Sequence, residues 1–252
     1  MSIAVIGAGN MGSAIIRGVV AKGIAVTVSD ADANKVKALM DESPLVKSAA
    51  SNTEAVRGAD LVIVAVEPSA LPGVMSEIAG CTQAPVASIC AAYTLSQLAD
   101  MLGHERPLLK VIPNTAAKVG QSMTFIAVSQ PPIDPAHKDI FATLGEVAVI
   151  EEAQMTAATA LCSCGLAFAM RYMRAATEGA VELGLRADDA LRWEMATLRG
   201  ACALLEQSGG HPEAEIDRVT TPGGITIRGL NAMERAGFSA AVIAGLLAAG
   251  AK

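Results

Sequence analysis

The 252-residue chain is expected to fold as an α/β protein, a doubly wound parallel sheet followed by an all-helical C-terminal domain. Three observations carry this expectation. A short apolar run, Ile3-Ala4-Val5-Ile6, passes directly into Gly7-Ala8-Gly9-Asn10-Met11-Gly12. Short β-branched runs then alternate with helical patterns as far as about residue 150. After Glu152 the strand signal stops and only helical spacing remains.

The first strand, Ile3–Ile6, turns through three glycines into a helix over Ser13–Lys22, the entry of a dinucleotide-binding βαβ unit of Rossmann type. Gly7 permits the tight turn, Gly9 lets backbone approach a pyrophosphate, and Gly12 lets helix and strand pack closely. Gly23 ends this helix, and Ala25–Ser29 is the second strand. Asn52 precedes a short helix and can reach the adenine side of a dinucleotide. Leu61–Val66 is apolar without alternation, as expected of a central parallel strand covered on both faces. Val86–Ile89, Leu108–Ile112, Met123–Val128 and Glu146–Ile150 read as further strands. Pro131-Pro132-Ile133-Asp134-Pro135 marks a turn before another helix.

The expected division is a dinucleotide-binding domain over 1–151 and a helical substrate and dimerisation domain over 152–252. Ala153–Leu183 reads as one long helix, nearly free of charge before Arg171, Arg174, Glu178 and Glu182. A helix apolar all round must be buried on all sides, so a partner subunit is expected to help cover it. A second helix runs over about Asp189–Gln207. Leu191, Met195, Leu198, Cys202 and Leu205 share one face, Asp188 stands at the cap, and Gly209-Gly210 ends it.

Hydrophobic residues make up 52% of the chain and charged ones 17%, a balance that points to an apolar oligomer interface. The net charge of -6 argues against nucleic-acid or anionic-membrane partners, which need concentrated Lys and Arg. Five cysteines, mostly in apolar segments, read as free buried thiols in a reducing cytoplasm. Cys162-Ser163-Cys164 lacks a second cluster to complete a metal site, and no metal is expected. His104, His137 and His211 are too scattered to act together. The first strand starts too early for a signal peptide. No apolar run reaches membrane-spanning length, the nearest being Ala240–Ala251. A cytoplasmic location is expected.

Ligands of open α/β sheets bind beyond the carboxyl ends of the strands. Ser29 and Asp30 stand there at the expected position of the adenosine ribose. An Asp accepts from a ribose 2′-hydroxyl and repels a 2′-phosphate, whereas Ser29, Asn34 and Lys35 could accommodate the phosphate. Asp30 is also a candidate helix cap, and the choice between NADH and NADPH stays open. Val66-Glu67-Pro68 and Cys90-Ala91-Ala92 end two further strands, with small residues that leave room for ribose and nicotinamide. Pro113-Asn114-Thr115 presents polar side chains on the same edge.

A second informative stretch is Val219-Thr220-Thr221-Pro222-Gly223-Gly224-Ile225-Thr226-Ile227-Arg228-Gly229-Leu230. Its turn residues start a helix whose free N–H groups suit a carboxylate, and the Thr221 and Thr226 hydroxyls can bond a small polar substrate. Neither is a strong acid or base, which fits reduction of an already protonated imine. Read alone, Thr-Pro-Gly-Gly is simply a turn and cap.

Together these stretches resemble the Δ1-pyrroline-5-carboxylate reductase family over almost the whole chain. The resemblance rests on Val5–Gly12, Val64–Pro68, Ile112–Thr115 and, most specifically, Val219–Leu230 followed by Met233-Glu234. It implies NAD(P)H-dependent reduction of a cyclic imino acid, 1-pyrroline-5-carboxylate to L-proline, by a Rossmann domain joined to a helical domain that interlocks with a second subunit in a homodimer or higher oligomer. By matching positions, Ala8, Asn10, Met11, Ser29, Asn52, Val66 and Ala92 would contact the cofactor, beside Gly7, Gly9, Gly12, Asp30, Glu67, Pro68 and Ala91. Gly224, Ile225 and Thr226 would hold the substrate, with Thr221, Gly223 and Asn114 nearby and the Thr226 hydroxyl as the catalytic group near the imine nitrogen.

The chain departs from the family pattern in four places. Glu67 replaces Lys, Lys110 replaces Arg, Tyr93 replaces Gly, and Cys162-Ser163-Cys164-Gly165-Leu166-Ala167 replaces Ser-Gly-Ser-Gly-Pro-Ala, so a bulkier pocket lining is expected. Two rivals stand beside this reading. One is a reductase for another imine or a hydroxy acid on the same scaffold, although Ala153–Ala169 holds no Lys or His to serve as the base a hydroxy acid needs. The other is a non-catalytic dinucleotide-binding regulator.

Overall fold

Strands β1 (Ile3–Ile6) and β4 (Leu61–Val64) are buried along their full lengths because alternate residues enter two different cores. Ile3, Val5, Leu61 and Ile63 face one core with Ile15, Ile16, Val19 and Phe141. Ala4, Ile6, Val62 and Val64 face the other, with Leu71, Met75, Ile78 and Leu98. This two-sided burial is why the strands carry no polar alternation.

The computed structural model describes residues 1–251. The chain divides into two units, Met1–Ser163 and Cys164–Lys252. The first contains the eight-stranded sheet. Besides β1 and β4 it comprises β2 (Val26–Ser29), β3 (Val46–Ser48), β5 (Val86–Ser88), β6 (Leu108–Ile112), β7 (Ser122–Val128) and β8 (Gly145–Val149), in the order β3-β2-β1-β4-β5-β6-β7-β8. Neighbouring strands are parallel except for the antiparallel β6–β7 pair. Ile6 is level with both Ser29 and Val64, so β1, β2 and β4 end together. Crossovers run through α1 (Asn10–Ala21), α2 (Ala33–Glu42), α3 (Asn52–Ala55), α4 (Leu71–Ile78) and α5 (Leu95–Leu102), and α6 (Pro135–Ala142) links β7 to β8.

Several expected boundaries shift. Helix α1 starts at Asn10 rather than Ser13, because its first turn includes Gly12, a poor helix former held there by packing. Strand β4 stops at Val64, after which Ala65 makes one more bond, to the Ile6 carbonyl at 2.8 Å, and the chain turns away. Strand β3 escaped the sequence reading because only Val46 of its three residues is buried. Of the cysteines expected to be buried, only Cys90 is.

Lys110 lies within β6, 7% exposed, and its Nζ is 3.6 Å from Glu152 Oε1. The same oxygen accepts the Leu95 N–H at the start of α5 at 2.8 Å. One carboxylate therefore serves the charge of β6 and an orphan donor of α5.

The helical segment that follows Glu152 is not regular. A 3-10 turn (Glu152–Gln154), α7 (Met155–Ala158), a π segment (Thr159–Cys164) and α8 (Gly165–Glu182) replace the single helix expected over Ala153–Leu183. Helix α9 (Ala187–Ser208) packs along α8, followed by α10 (Pro212–Arg218), α11 (Ile225–Arg235) and α12 (Phe238–Gly250). The start of α9 is Arg186 in extended conformation, with no side-chain cap, rather than Asp188. Gly184, at φ 95°, re-aims the chain early. Asp188 and Asp189 fall in the first turn, where their charge complements the helix dipole. Gly209 ends α9 in the left-handed region, as expected.

The apolar stretch expected to be enclosed is largely open in a single chain. Leu161 is 60% and Met170 59% exposed, and Leu191, Met195 and Cys202 of the α9 stripe are exposed as well. Phe168, Tyr172, Met233, Phe238, Val242 and Gly245 line an apolar groove of about 700 Å³, in which the Tyr172 and Phe238 rings meet edge-on at 6.3 Å. Contrary to the sequence expectation, the helical run Glu152–Glu182, taken across its 3-10, α and π segments, is long and apolar enough by composition to cross a membrane, as are α11 and α12 together, bent by 49°.

Replacing Glu152 by Ala leaves the buried Lys110 ammonium and the Leu95 N–H without this partner. A loss of about 1–3 kcal/mol is expected, read as a lower urea midpoint with an unchanged slope.

Candidate functional site

The parallel ladders bring the carboxyl ends of β1, β2, β4 and β5 to one edge of the sheet, and the glycine turn sits there. Gly7 adopts φ 99°, and a Cβ on it would collide with the Ala65 carbonyl. A Cβ on Gly12 would collide with the Gly7 carbonyl oxygen. These two glycines are closed by backbone. Gly9 is different, since a Cβ there would meet nothing within 4 Å. It is the N-cap of α1 and offers no side chain to the first N–H groups of that helix. Open space above Gly9 and uncapped donors behind it make a cradle that fits a pyrophosphate.

The Gly7 N–H donates to the Ser29 carbonyl at 2.8 Å, which joins the turn to the end of β2. Asp30 continues this seam. Its Oδ2 accepts the Ala8 N–H at 2.6 Å and its Oδ1 the Asp32 N–H at 2.8 Å. Lys35 Nζ lies 3.8 Å from Oδ1. Asp32, not Asp30, caps α2, accepting the Asn34 N–H at 3.0 Å. Ser29 is buried, whereas Asn10 is exposed and Met11 half-exposed at the helix start.

Val66 follows Ala65 beside the turn, with its Cγ1 3.1 Å from where a Gly7 Cβ would stand. Glu67 and Pro68 are exposed, as are Ala91 and Ala92 beyond β5. Tyr93 ties these two loops together by donating its hydroxyl to the Pro68 carbonyl at 3.2 Å. Asn52 opens α3, whose cap is Ser51, and donates through Nδ2 to Glu77 Oε2 at 2.7 Å. Neither the Tyr93 nor the Glu77 contact had a sequence signal, because each joins residues 25 apart.

Asn114 is buried beyond β6 and largely committed. Its N–H donates to Ser122 Oγ, its Oδ1 accepts the Ala116 N–H, and its Nδ2 donates to the Cys162 carbonyl at 3.1 Å. One Nδ2 hydrogen remains free for a ligand. The Cys162 carbonyl belongs to the π segment, where i→i+5 bonding loosens the regular ladder. Burial pushes the Cys162 thiol up from its ordinary value, which favours the thiol over the reactive thiolate. Among the described residues no group of three or more His, Cys, Asp or Glu could hold a metal ion.

In the C-terminal unit, Gly223 takes φ 70° and the Gly224 N–H returns to the Thr221 carbonyl at 2.9 Å. Gly224 is then the N-cap of α11, without a side-chain cap. Ile225 is 80% exposed and Thr226 half-buried in the first turn. Among the described residues neither the Thr221 nor the Thr226 hydroxyl makes a side-chain hydrogen bond, whereas Thr220, one residue earlier, donates to the Ile216 carbonyl at 2.7 Å. Thr221, Gly223, Gly224, Ile225 and Thr226 thus form one short helix start with unspent donors.

Comparison with known proteins extends this description. A family model described as pyrroline-5-carboxylate reductase dimerisation matches residues 152–252, and one described as NADP oxidoreductase, coenzyme F420-dependent, matches residues 2–92. Pyrroline-5-carboxylate reductase 1 of Dictyostelium discoideum is 37% identical over 97% of the chain, which spans 48% of that protein. Pyrroline-5-carboxylate reductase of Escherichia coli (strain K12) is 34% identical over 96% of the chain and 93% of the relative. The chain belongs to the pyrroline-5-carboxylate reductase family. A solved structure of the family, from Coxiella burnetii, matches with a TM-score of 0.90 and 25% identity over 98% of this chain and 95% of that one. The fold is therefore the family's, a Rossmann-like domain followed by a helical dimerisation domain, and self-association goes with it.

Gly9 and Gly12 separate binding from folding. Gly9→Ala is expected to keep the melting temperature within about a degree while weakening dinucleotide binding about tenfold or more. Gly12→Ala is expected to lower stability by about 2–4 kcal/mol, because backbone atoms must move. Thermal unfolding and fluorescence titration with a reduced nicotinamide dinucleotide distinguish the two.

Proposed function

We propose that the chain reduces 1-pyrroline-5-carboxylate to L-proline with NADPH or NADH. The observation that supports this most is the start of α11, where an N-cap Gly224 without a side-chain cap, the free N–H groups of the helix's first turn and two unspent threonine hydroxyls stand together. Such a helix start carries a partial positive charge suited to the substrate carboxylate. The Thr226 hydroxyl oxygen accepts from the protonated imine nitrogen and holds the ring in one orientation, so Thr226 is assigned the catalytic position. Gly223 and Gly224 bring backbone close, and Thr221, Ile225 and Asn114 complete the substrate residues. The cofactor residues are Gly7, Ala8, Gly9, Asn10, Met11, Gly12, Ser29, Asp30, Asn52, Val66, Glu67, Pro68, Ala91 and Ala92. A nicotinamide dinucleotide held by these residues would supply the hydride for the imine carbon, and the amine so formed would take its final proton from water. No residue needs to abstract a proton, which agrees with the absence of Lys and His from Ala153–Ala169.

The division at 151/152 is kept as the functional boundary, with the dinucleotide in the first part and substrate residues and self-association in the second. The exposed apolar faces of α8, α9 and α12 favour a homodimer in which a second copy of the helical domain covers them. That reading accounts for the apolar helix Glu152–Glu182 without lipid and goes with a cytoplasmic location and no nucleic-acid partner. Cys162, Cys164 and Leu166, in place of the family's small residues, favour a second reading in which a different cyclic imino acid is preferred.

Consumption of NADH and NADPH with 1-pyrroline-5-carboxylate and a panel of other cyclic imines tests the activity, and no oxidation with any of them would leave only a regulatory binding role. Thr226→Ala removes a charge-assisted hydrogen bond of about 1.5–3 kcal/mol, so kcat is expected to fall roughly tenfold to hundredfold with dinucleotide affinity unchanged. Sedimentation of the purified chain is expected to give a dimer or larger species, and Ile243→Asp, which places a charge on α12 at a 57% exposed position, to shift it toward monomer.

A further inference from the structure

We propose that the Asp30 carboxylate makes this chain selective for NADH over NADPH, an inference that rests on the dinucleotide reading above. Sequence alone left the choice open between Asp30 on one side and Ser29, Asn34 and Lys35 on the other. The structure separates them. Asp30 cannot swing away to admit a phosphate, because both of its oxygens are held by backbone donors. The Ala8 N–H holds Oδ2 at 2.6 Å and the Asp32 N–H holds Oδ1 at 2.8 Å. The side chain is only 11% exposed, and turning it outward would strand two N–H groups.

Of the residues that might have welcomed a phosphate, the one hydroxyl is buried and the one cation is paired. Ser29 is 6% exposed at the end of β2. Lys35, the cation beside the carboxylate, is 3.8 Å from Asp30 and paired with it. Asp32 adds a second carboxylate, fixed on the Asn34 N–H at 3.0 Å. A 2′-phosphate would therefore meet a carboxylate held in place by two backbone donors, with a second carboxylate close by in sequence and Lys35 already paired to the first. A ribose 2′-hydroxyl meets something better, since each Asp30 oxygen accepts one backbone N–H and keeps a lone pair for a further donor. The same carboxylate grips the glycine turn through Ala8, so the ribose position and the pyrophosphate cradle are fixed by one side chain.

The test is equilibrium titration of the full-length protein with NADH and with NADPH, followed by nicotinamide fluorescence, without substrate. The wild type is expected to bind NADH about tenfold or more tightly than NADPH. Because the discrimination is electrostatic, the ratio is expected to narrow as salt rises from about 0.05 to 0.5 M, a readout that needs no variant. Asp30→Asn is expected to bring the two dissociation constants within about threefold, chiefly by tightening NADPH. Equal or tighter NADPH binding by the wild type overturns the assignment. A ratio that neither salt nor Asp30→Asn changes overturns Asp30 as its cause. Binding of neither dinucleotide overturns the cofactor reading itself, a different failure.

Discussion

The close backbone approach between the first strand's turn and α1 is the constraint on which the cofactor region depends. Gly7 and Gly12 leave no room for a Cβ on either side of the contact. Because of that, α1 starts directly over the sheet edge, with its first donors aimed at whatever occupies the space above Gly9. Ala65 closes the other side of Gly7, so β4 is drawn into the same junction. The glycine turn and the start of α1 thus meet Ala65, distant in sequence, chiefly through backbone atoms. Such a junction has few soft degrees of freedom and sets the level at which β1, β2 and β4 all end.

Around this rigid centre the polar contacts are long-range and economical. Asp30 serves the glycine turn and the entry to α2, Glu152 serves β6 and α5, and Asn114 serves the end of β6 and the π segment. Each is a single side chain satisfying donors or acceptors on two elements. At the far side of the sheet, buried Arg106 donates to the carbonyls of Ala79 and Thr82 beyond α4, and desolvation pulls its guanidinium below the ordinary value. In a chain with only 17% charged residues, the partly buried charges are spent on joints between elements.

The parts legible in sequence were those governed by local rules. The glycine fingerprint, the non-alternating central strands, the Gly209 stop and the Thr-Pro-Gly-Gly helix start could all be read because each is set by residues within a few positions. What could not be read depended on distant partners. The start of α1 at Asn10 places Gly12 in a helix against its propensity, for the sake of contact with Gly7. Strand β3 has one buried residue and is a strand only because β2 lies beside it. The π segment at Thr159–Cys164 has no composition that marks it. The Asp30 carboxylate was recognised as a candidate ribose partner, yet its grip on Ala8, 22 residues away, became visible only in three dimensions. For the helical region, the apolar faces that the sequence expects a partner subunit to help cover are the ones a single chain leaves open.

Strand β3 carries a further consequence. It forms one margin of the sheet and has only three residues, with Lys47 and Ser48 turned to solvent. A foreign strand arriving there would find too short a template and an ammonium to desolvate, so cross-molecular pairing into fibrils is discouraged on that side. On that margin the sheet offers little to a second copy, whereas the apolar helical faces can cover one another and stop, as an open ladder would not.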